Sequence, residues 1–150
     1  MEPRIIFKPA FRVAGILLIG EEITGSLDEV WENLADRYSE IPHADPDQGF
    51  GVHLFNEAGH HYLAGLAVRK DGNLPEGMAE VEFGPNAYAV FFHRGDLVRL
   101  PETVASIFDT WLPESGYRLA EEFYFEFYDD QFQPGSPDSV IFLFVPVVER

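Results

Sequence analysis

The chain has 150 residues, no cysteine, 46% apolar and 15% aromatic residues and a formal net charge of −16. The length and apolar content suit one folded domain over residues 1–150, and the missing cysteines exclude a disulfide frame and thiolate chemistry and suit a reducing, cytoplasmic setting. The acidity argues against direct contact with nucleic acid or an anionic membrane; it favours a cationic small molecule or a protein partner with a basic surface, or serves solubility alone.

In chain order, residues 4–20 (RIIFKPAFRVAGILLIG) read as extended, with a break at Pro9 and a stop at Gly20. The run VAGILLIG is too short to span a bilayer and reads as a buried strand. A helix follows over residues 25–42, where Ser26 and Glu29 form a capping-box pattern and Leu27, Val30, Trp31, Leu34 and Tyr38 fall on one face. Residues 43–49 (HADPDQG) read as a loop, 49–56 as a strand and 61–68 as its returning partner. Residues 69–77 (RKDGNLPEG) read as a linker.

The same order then returns. Residues 78–95 are extended, and residues 100–116 (LPETVASIFDTWLPESG) read as a helix opened by Pro101 and ended by Pro113. Residues 121–130 read as a strand, 131–138 as a turn and 139–148 as the last strand. Leu27, Val30, Trp31, Leu34 and Ala35 match Val104, Ile107, Phe108, Trp111 and Leu112 at one constant offset. The expectation is an α+β fold made of two βαββ units, residues 4–68 and 78–148, related by a pseudo-two-fold axis. Together they would form a curved antiparallel sheet with helices on one face and a ligand cleft on the concave side between the units.

The stretch FYFEFYDD, residues 123–130, carries the most chemistry. Alternation places Glu122, Tyr124, Glu126, Tyr128 and Asp130 on one side and Phe123, Phe125 and Phe127 on the other. By burial preference alone, the phenylalanines enter the core and the Glu/Tyr side is wet. Overlaying the two units sets His53 opposite Glu126 in the repeat and Phe55 opposite Tyr128. His53 then either lines a cleft and hydrogen-bonds Glu126 or is an ordinary strand residue. Trp31 and Trp111 lie on apolar helix faces and read as core, with Trp111 also placed to edge a pocket. Phe142 and Phe144 alternate with Ile141, Leu143 and Val145, and either set suits the helix side. His43, Asp45, Asp47, His60 and His61 lack the convergent spacing of a zinc site, and no nucleotide or nucleophile motif is present, so neither metal nor cofactor is expected.

The segments HYLAGLAV, AYAVFFHRG, TWLPESGY, FEFYDDQF and PDSVIFLFVPV, in this order and spacing, resemble the AraC/GyrI-like effector-binding domain family of bacterial transcription activators. The resemblance runs from PAFRVAG to the last strand. It implies duplicated βαββ units and an aromatic cleft with a glutamate at its base, which takes lipophilic or cationic drug-like compounds. Glu126 maps to that glutamate. With the neighbours given by alternation, by the overlay of the units and by the flanking helix and last strand, the expected ligand-binding set is Glu126, Tyr124, Tyr128, His53, Phe55, Trp111, Phe142 and Phe144. The chain departs from the family in its final strand, SVIFLFVPV, which lacks the acid often found there.

The resemblance also implies a stand-alone form, since these residues leave no room for a helix-turn-helix. The expected function is capture or sensing of hydrophobic, cationic ligands, in the manner of multidrug-binding domains of transcription regulators. Two alternatives belong to other classes. One is a hydrolase of strained electrophilic compounds with Glu126 as general base. The other is an acidic protein inhibitor that covers the basic surface of a DNA-binding enzyme.

Overall fold

A computed structural model describes residues 2–23, 27–70, 72–95, 97–129 and 138–150. The expected capping residue Ser26, the last alternating carboxylate Asp130 and nearly all of the 131–138 turn lie outside the described residues.

Among the described residues nine strands form one sheet: β1 (Arg4–Lys8), β2 (Phe11–Ile19), β3 (Ala44–Asn56), β4 (Gly59–Val68), β5 (Ala79–Phe83), β6 (Asn86–Arg94), β7 (Tyr117–Leu119), β8 (Phe123–Tyr128) and β9 (Val140–Glu149). The strand order is β1-β6-β9-β8-β3-β4-β2-β5, with β7 pairing beside β8 on β9, and every pairing is antiparallel. This order reads the same from either end if β1 is exchanged with β5, β2 with β6, β3 with β8 and β4 with β9. Pro9 separates β1 from β2, and Gly84 and Pro85 separate β5 from β6. Each short leading strand then pairs in the other half of the sheet.

The helix α1 (Asp28–Ala35) lies between β2 and β3. A second helical stretch lies between β6 and β7. It starts as α2 (Leu100–Ser106), widens to a π-turn at Ile107–Trp111 and closes with the single turn α3 (Leu112–Glu114). Pro101 sits in the first turn of α2 as the sequence suggests. Pro113 does not stop the helix at once; it occupies the final turn, and the chain turns extended at Ser115, whose N–H and hydroxyl both reach the Leu112 carbonyl.

Both helices cover the same face. Val30 and Leu34 of α1 pack on Ala14, Tyr62, Ala64 and Leu66. Leu100 and Ile107 pack on Ala89, Phe91, Ile141, Leu143 and Val145. The opposite face gathers Phe50, Val52, Phe83, Tyr88, Phe123 and Phe125. β2 and β8 are three strand spacings apart, about 14 Å on a flat sheet. The rings of Phe11 and Phe125 nevertheless stand 5.6 Å apart, so the sheet curls around this phenylalanine layer. Lys8, on the β1 edge, reaches across to place its ammonium 4.3 Å from the Phe11 ring, and burial pulls its pKa down. The concave side is therefore filled by rings, and the space for a ligand has to be sought on the helix side.

Two strand details differ from the sequence expectation. β3 begins at Ala44, so HADPDQG is largely strand; a bulge takes the register from Asp45 opposite Ala67 to Gly49 opposite Leu66, and the Asp47 N–H bonds the Asp45 carboxylate inside it. In β9, Pro146 sits between the stretch paired with β8 and the stretch paired with β7. Its carbonyl accepts from Ala120 on that side, so its missing N–H falls in the gap and no ladder bond is lost. No helix among the described residues is long and apolar enough to cross a membrane.

Candidate functional site

The seam between β3 and β8 runs through the centre of the sheet. Its register sets Gly49 opposite Tyr128, Gly51 opposite Glu126 and His53 opposite Tyr124. On the other side of β3, His53 faces Tyr62 and Phe55 faces His60. Glu126 in turn faces Leu143 on β9, a residue packed beneath the second helical stretch. Glu126, Tyr124, Tyr128, His53, Phe55, His60 and Tyr62 therefore all project on the helix side. The wet alternative for this face does not hold for the carboxylate: Glu126 is only 6% exposed.

Glu126 is held by two hydrogen bonds. The Tyr128 hydroxyl donates to Oε1 at 2.5 Å, and His53 Nε2 lies 2.9 Å from Oε2. The row continues outward, with His53 Nδ1 3.0 Å from His60 Nε2. Among the described residues no lysine or arginine pairs with Glu126. His53 is clamped between rings, stacked on Tyr124 at 4.6 Å and edge-on to Tyr62 at 4.9 Å. Phe55 stacks on His60 at 4.9 Å and is 42% exposed, which places it at the rim.

Gly51 makes the centre of this arrangement possible. A Cβ there would lie 2.4 Å from the Tyr62 hydroxyl and 3.0 Å from Glu126 Oε1. Without it, the phenol and the carboxylate settle against bare β3 backbone. The helices supply the walls. Trp31 of α1 donates its indole N–H to the Tyr62 hydroxyl at 2.9 Å and meets Tyr128 edge-on at 5.4 Å. Phe108, in the π-turn, lies 5.2 Å from Tyr124.

Burial and the nearby Glu126 charge push the phenols of Tyr62, Tyr124 and Tyr128 up, so all three are neutral hydrogen-bonding groups at ordinary pH. Burial, then the neighbouring His53 and His61, lower the pKa of His60.

Of the expected ligand set, Glu126, Tyr124, Tyr128, His53 and Phe55 come together. Three residues do not join them. Phe142 and Phe144 lie opposite Phe127 and Phe125 and contact those rings on the concave face, because Leu143 is the β9 residue that shares the side of Glu126. Trp111 packs edge-on to Phe91 at 5.0 Å and stacks on Tyr117, so it belongs to the core under the second helix. Trp31, Tyr62, His60 and Phe108, which the expected set did not contain, stand in the cluster. A signal for two of these was present: the helix overlay matched Trp31 with Phe108, and both meet tyrosines of β8.

A cavity of about 420 Å³ lies apart from this cluster, beyond the C-terminal end of α1, lined by Tyr38, Ile41, His43, Pro46, Leu66 and Arg69 among others.

Residues 1–148 match the GyrI-like small molecule binding domain family. The transcriptional regulator BrlR of Pseudomonas aeruginosa is 32% identical over 150 residues, covering 98% of this chain and 56% of that protein. The chain thus spans little more than half the length of this curated relative. A structure of SAV2435 bound to tetraphenylphosphonium superposes with a TM-score of 0.77, at 14% identity over 99% of this chain and 94% of that one. A hydrolase from Listeria innocua superposes with a TM-score of 0.60, at 14% identity over 98% and 92% of the two chains. At such identities these two structures speak to the fold alone.

Proposed function

Because the chain belongs to the GyrI-like small-molecule-binding domain family, we propose that it captures or senses a hydrophobic organic cation in a cleft between α1 and the second helix, with Glu126 at the floor. One observation carries the reading: a buried carboxylate among aromatic rings, engaged by a histidine and a tyrosine and, among the described residues, by no arginine or lysine. A buried carboxylate without a fixed cationic partner is costly to keep. A lipophilic cation repays that cost through the charge, and through the faces of Trp31, Tyr124 and Phe108. The net charge of −16 adds long-range attraction for cations. The tetraphenylphosphonium held by SAV2435 supplies a probe of this chemistry. Titration of the chain with tetraphenylphosphonium, followed by tryptophan fluorescence, tests the proposal. Saturable binding that Glu126→Gln weakens at least tenfold supports it; equal affinity in both proteins overturns it.

A second reading has a specific basis. Glu126 is joined to an imidazole and a phenol in one hydrogen-bonded row, a set able to accept a proton from water and to orient an electrophile. A hydrolase of strained electrophiles would show catalytic product formation that Glu126→Gln abolishes. A capture protein would show stoichiometric binding without turnover.

A further inference from the structure

We propose that this site takes up its cation in exchange for a proton, with His53 as the resident charge that the ligand displaces and His60 as the exit for the proton. The inference rests on the cationic-ligand reading and adds to it a specificity-determining residue and a stoichiometry.

The geometry leads there in three steps. First, His53 sits on the carboxylate, with Nε2 2.9 Å from Oε2, where its imidazolium form provides the positive charge that no lysine or arginine provides. A ligand cation near Glu126 then meets a carboxylate already neutralised, and two cations against one buried carboxylate repel each other. Binding is favoured when His53 is neutral.

Second, the proton has a defined route. In the imidazolium, Nε2–H donates to Glu126 and Nδ1–H donates to His60 Nε2, 3.0 Å away. As the ligand enters, the Nδ1 proton passes to His60 Nε2, and His60 releases its own Nδ1 proton to water. Three N–H protons on the two rings become two, and one proton leaves. Both hydrogen bonds survive: His53 still donates Nε2–H to Glu126, and its Nδ1 now accepts from His60. His60 is half-buried, between His53 and the exposed Phe55 at the rim. Its lowered pKa makes it a poor resting place for the proton and a good conduit.

Third, the surrounding groups do not compete. Tyr124 and Tyr128 of β8 and Tyr62 of β4 face the pair, and burial with Glu126 holds them neutral. His61, next to His60 on β4, lowers the His60 pKa through its charge. The helices present Trp31 and Phe108, which do not titrate.

The test is calorimetric titration of the whole chain with tetraphenylphosphonium at pH 6 and pH 8, in buffers of high and low ionisation enthalpy. The expected result is a release of protons on binding that is larger at pH 6 than at pH 8, and an affinity that rises with pH. His53→Gln keeps a donor toward Glu126 but carries no charge; it should bind with no proton release and with pH-independent affinity. Saturable binding whose heat at pH 6 does not depend on buffer overturns the exchange and leaves the cation reading standing. Proton release that persists in His53→Gln also overturns it. Absence of saturable binding by the wild-type chain at both pH values removes the cation reading and the exchange with it. If His53→Gln does not fold, the wild-type buffer comparison decides alone.

Discussion

His53 and Glu126 lie on the two strands that meet at the centre of the sheet, and they hydrogen-bond each other across that seam. β3 belongs to the first half of the chain and β8 to the second, and their register sets His53 opposite Tyr124 and Glu126 opposite Gly51. The contact at 2.9 Å thus joins two halves of the molecule as well as two polar groups. Removing one partner leaves the other buried and short of a hydrogen bond. His53→Leu should therefore lower the unfolding free energy by about 1–3 kcal/mol, and the double variant with Glu126→Leu should recover part of the loss. Urea denaturation of the two single variants and the double variant measures this; strict additivity would show that the pair is not coupled.

Gly51 is predicted to be intolerant of even one methyl group. The added Cβ must displace the Tyr62 hydroxyl, 2.4 Å away, and crowd Glu126 Oε1. Tyr62 is fully packed under α1 and receives the Trp31 indole N–H, so it has little room to yield. Gly51→Ala should cost about 1–3 kcal/mol. It should also shift the tryptophan emission, because the Trp31 hydrogen bond breaks, and weaken cation binding. Gly49 gives the control on the same strand and face: its added Cβ would meet Trp31 and Tyr128 at 3.6 Å, an ordinary contact. Gly49→Ala should be nearly silent in the same assays.

Part of this cluster was legible in the alternation of residues 123–128, which sets Tyr124, Glu126 and Tyr128 on one face. Burial preference alone makes that face wet, because a carboxylate is costly to bury; only the family resemblance turns it toward a cleft. The overlay of the halves pairs His53 with Glu126 but leaves an ordinary strand histidine equally open. Trp31 reads as core because an amphipathic helix face does not reveal that one ring of its stripe leans past the core onto β8. Phe142 and Phe144 were indeterminate because β9 is apolar on both sides, and only the register, with Leu143 opposite Glu126, assigns its faces. The pairing of β1 with β6 and of β5 with β2 was likewise hidden, since Pro9 and Pro85 mark breaks without saying where the chain goes next. The β3 bulge reads as loop in the sequence because its Asp, Pro and Gly content is what both structures require.

Rings on the two faces of the sheet should separate cleanly by assay. Phe144 stacks on Phe125 at 4.7 Å on the concave side. Phe144→Leu should cost about 1 kcal/mol or more in stability and leave affinity for tetraphenylphosphonium unchanged. Phe108 meets Tyr124 on the helix side. Phe108→Leu should be milder for folding and lower affinity by about 2- to 30-fold, the range of one ring–cation contact. Thermal unfolding and fluorescence titration of both variants check this. The reverse pattern would place the ligand on the phenylalanine face.

The tyrosines predict the alkaline limit of the fold. Tyr62, Tyr124 and Tyr128 have phenols pushed up by burial first and by the Glu126 charge second, and burial raises Tyr88 to about 12. In the unfolded chain they ionise near pH 10. A group whose folded pKa lies above its unfolded value contributes stability that is complete below the unfolded value and declines as pH rises past it. The unfolding free energy should therefore hold up to about pH 10 and fall steeply above it, with several phenols contributing together. In a spectrophotometric titration these four should not ionise ahead of unfolding, so the late phenolate absorbance should rise together with the loss of far-ultraviolet circular dichroism. Tyr128→Phe should reduce the steepness. Phenolate formation by all six tyrosines in a chain that remains folded would contradict the burial of this cluster.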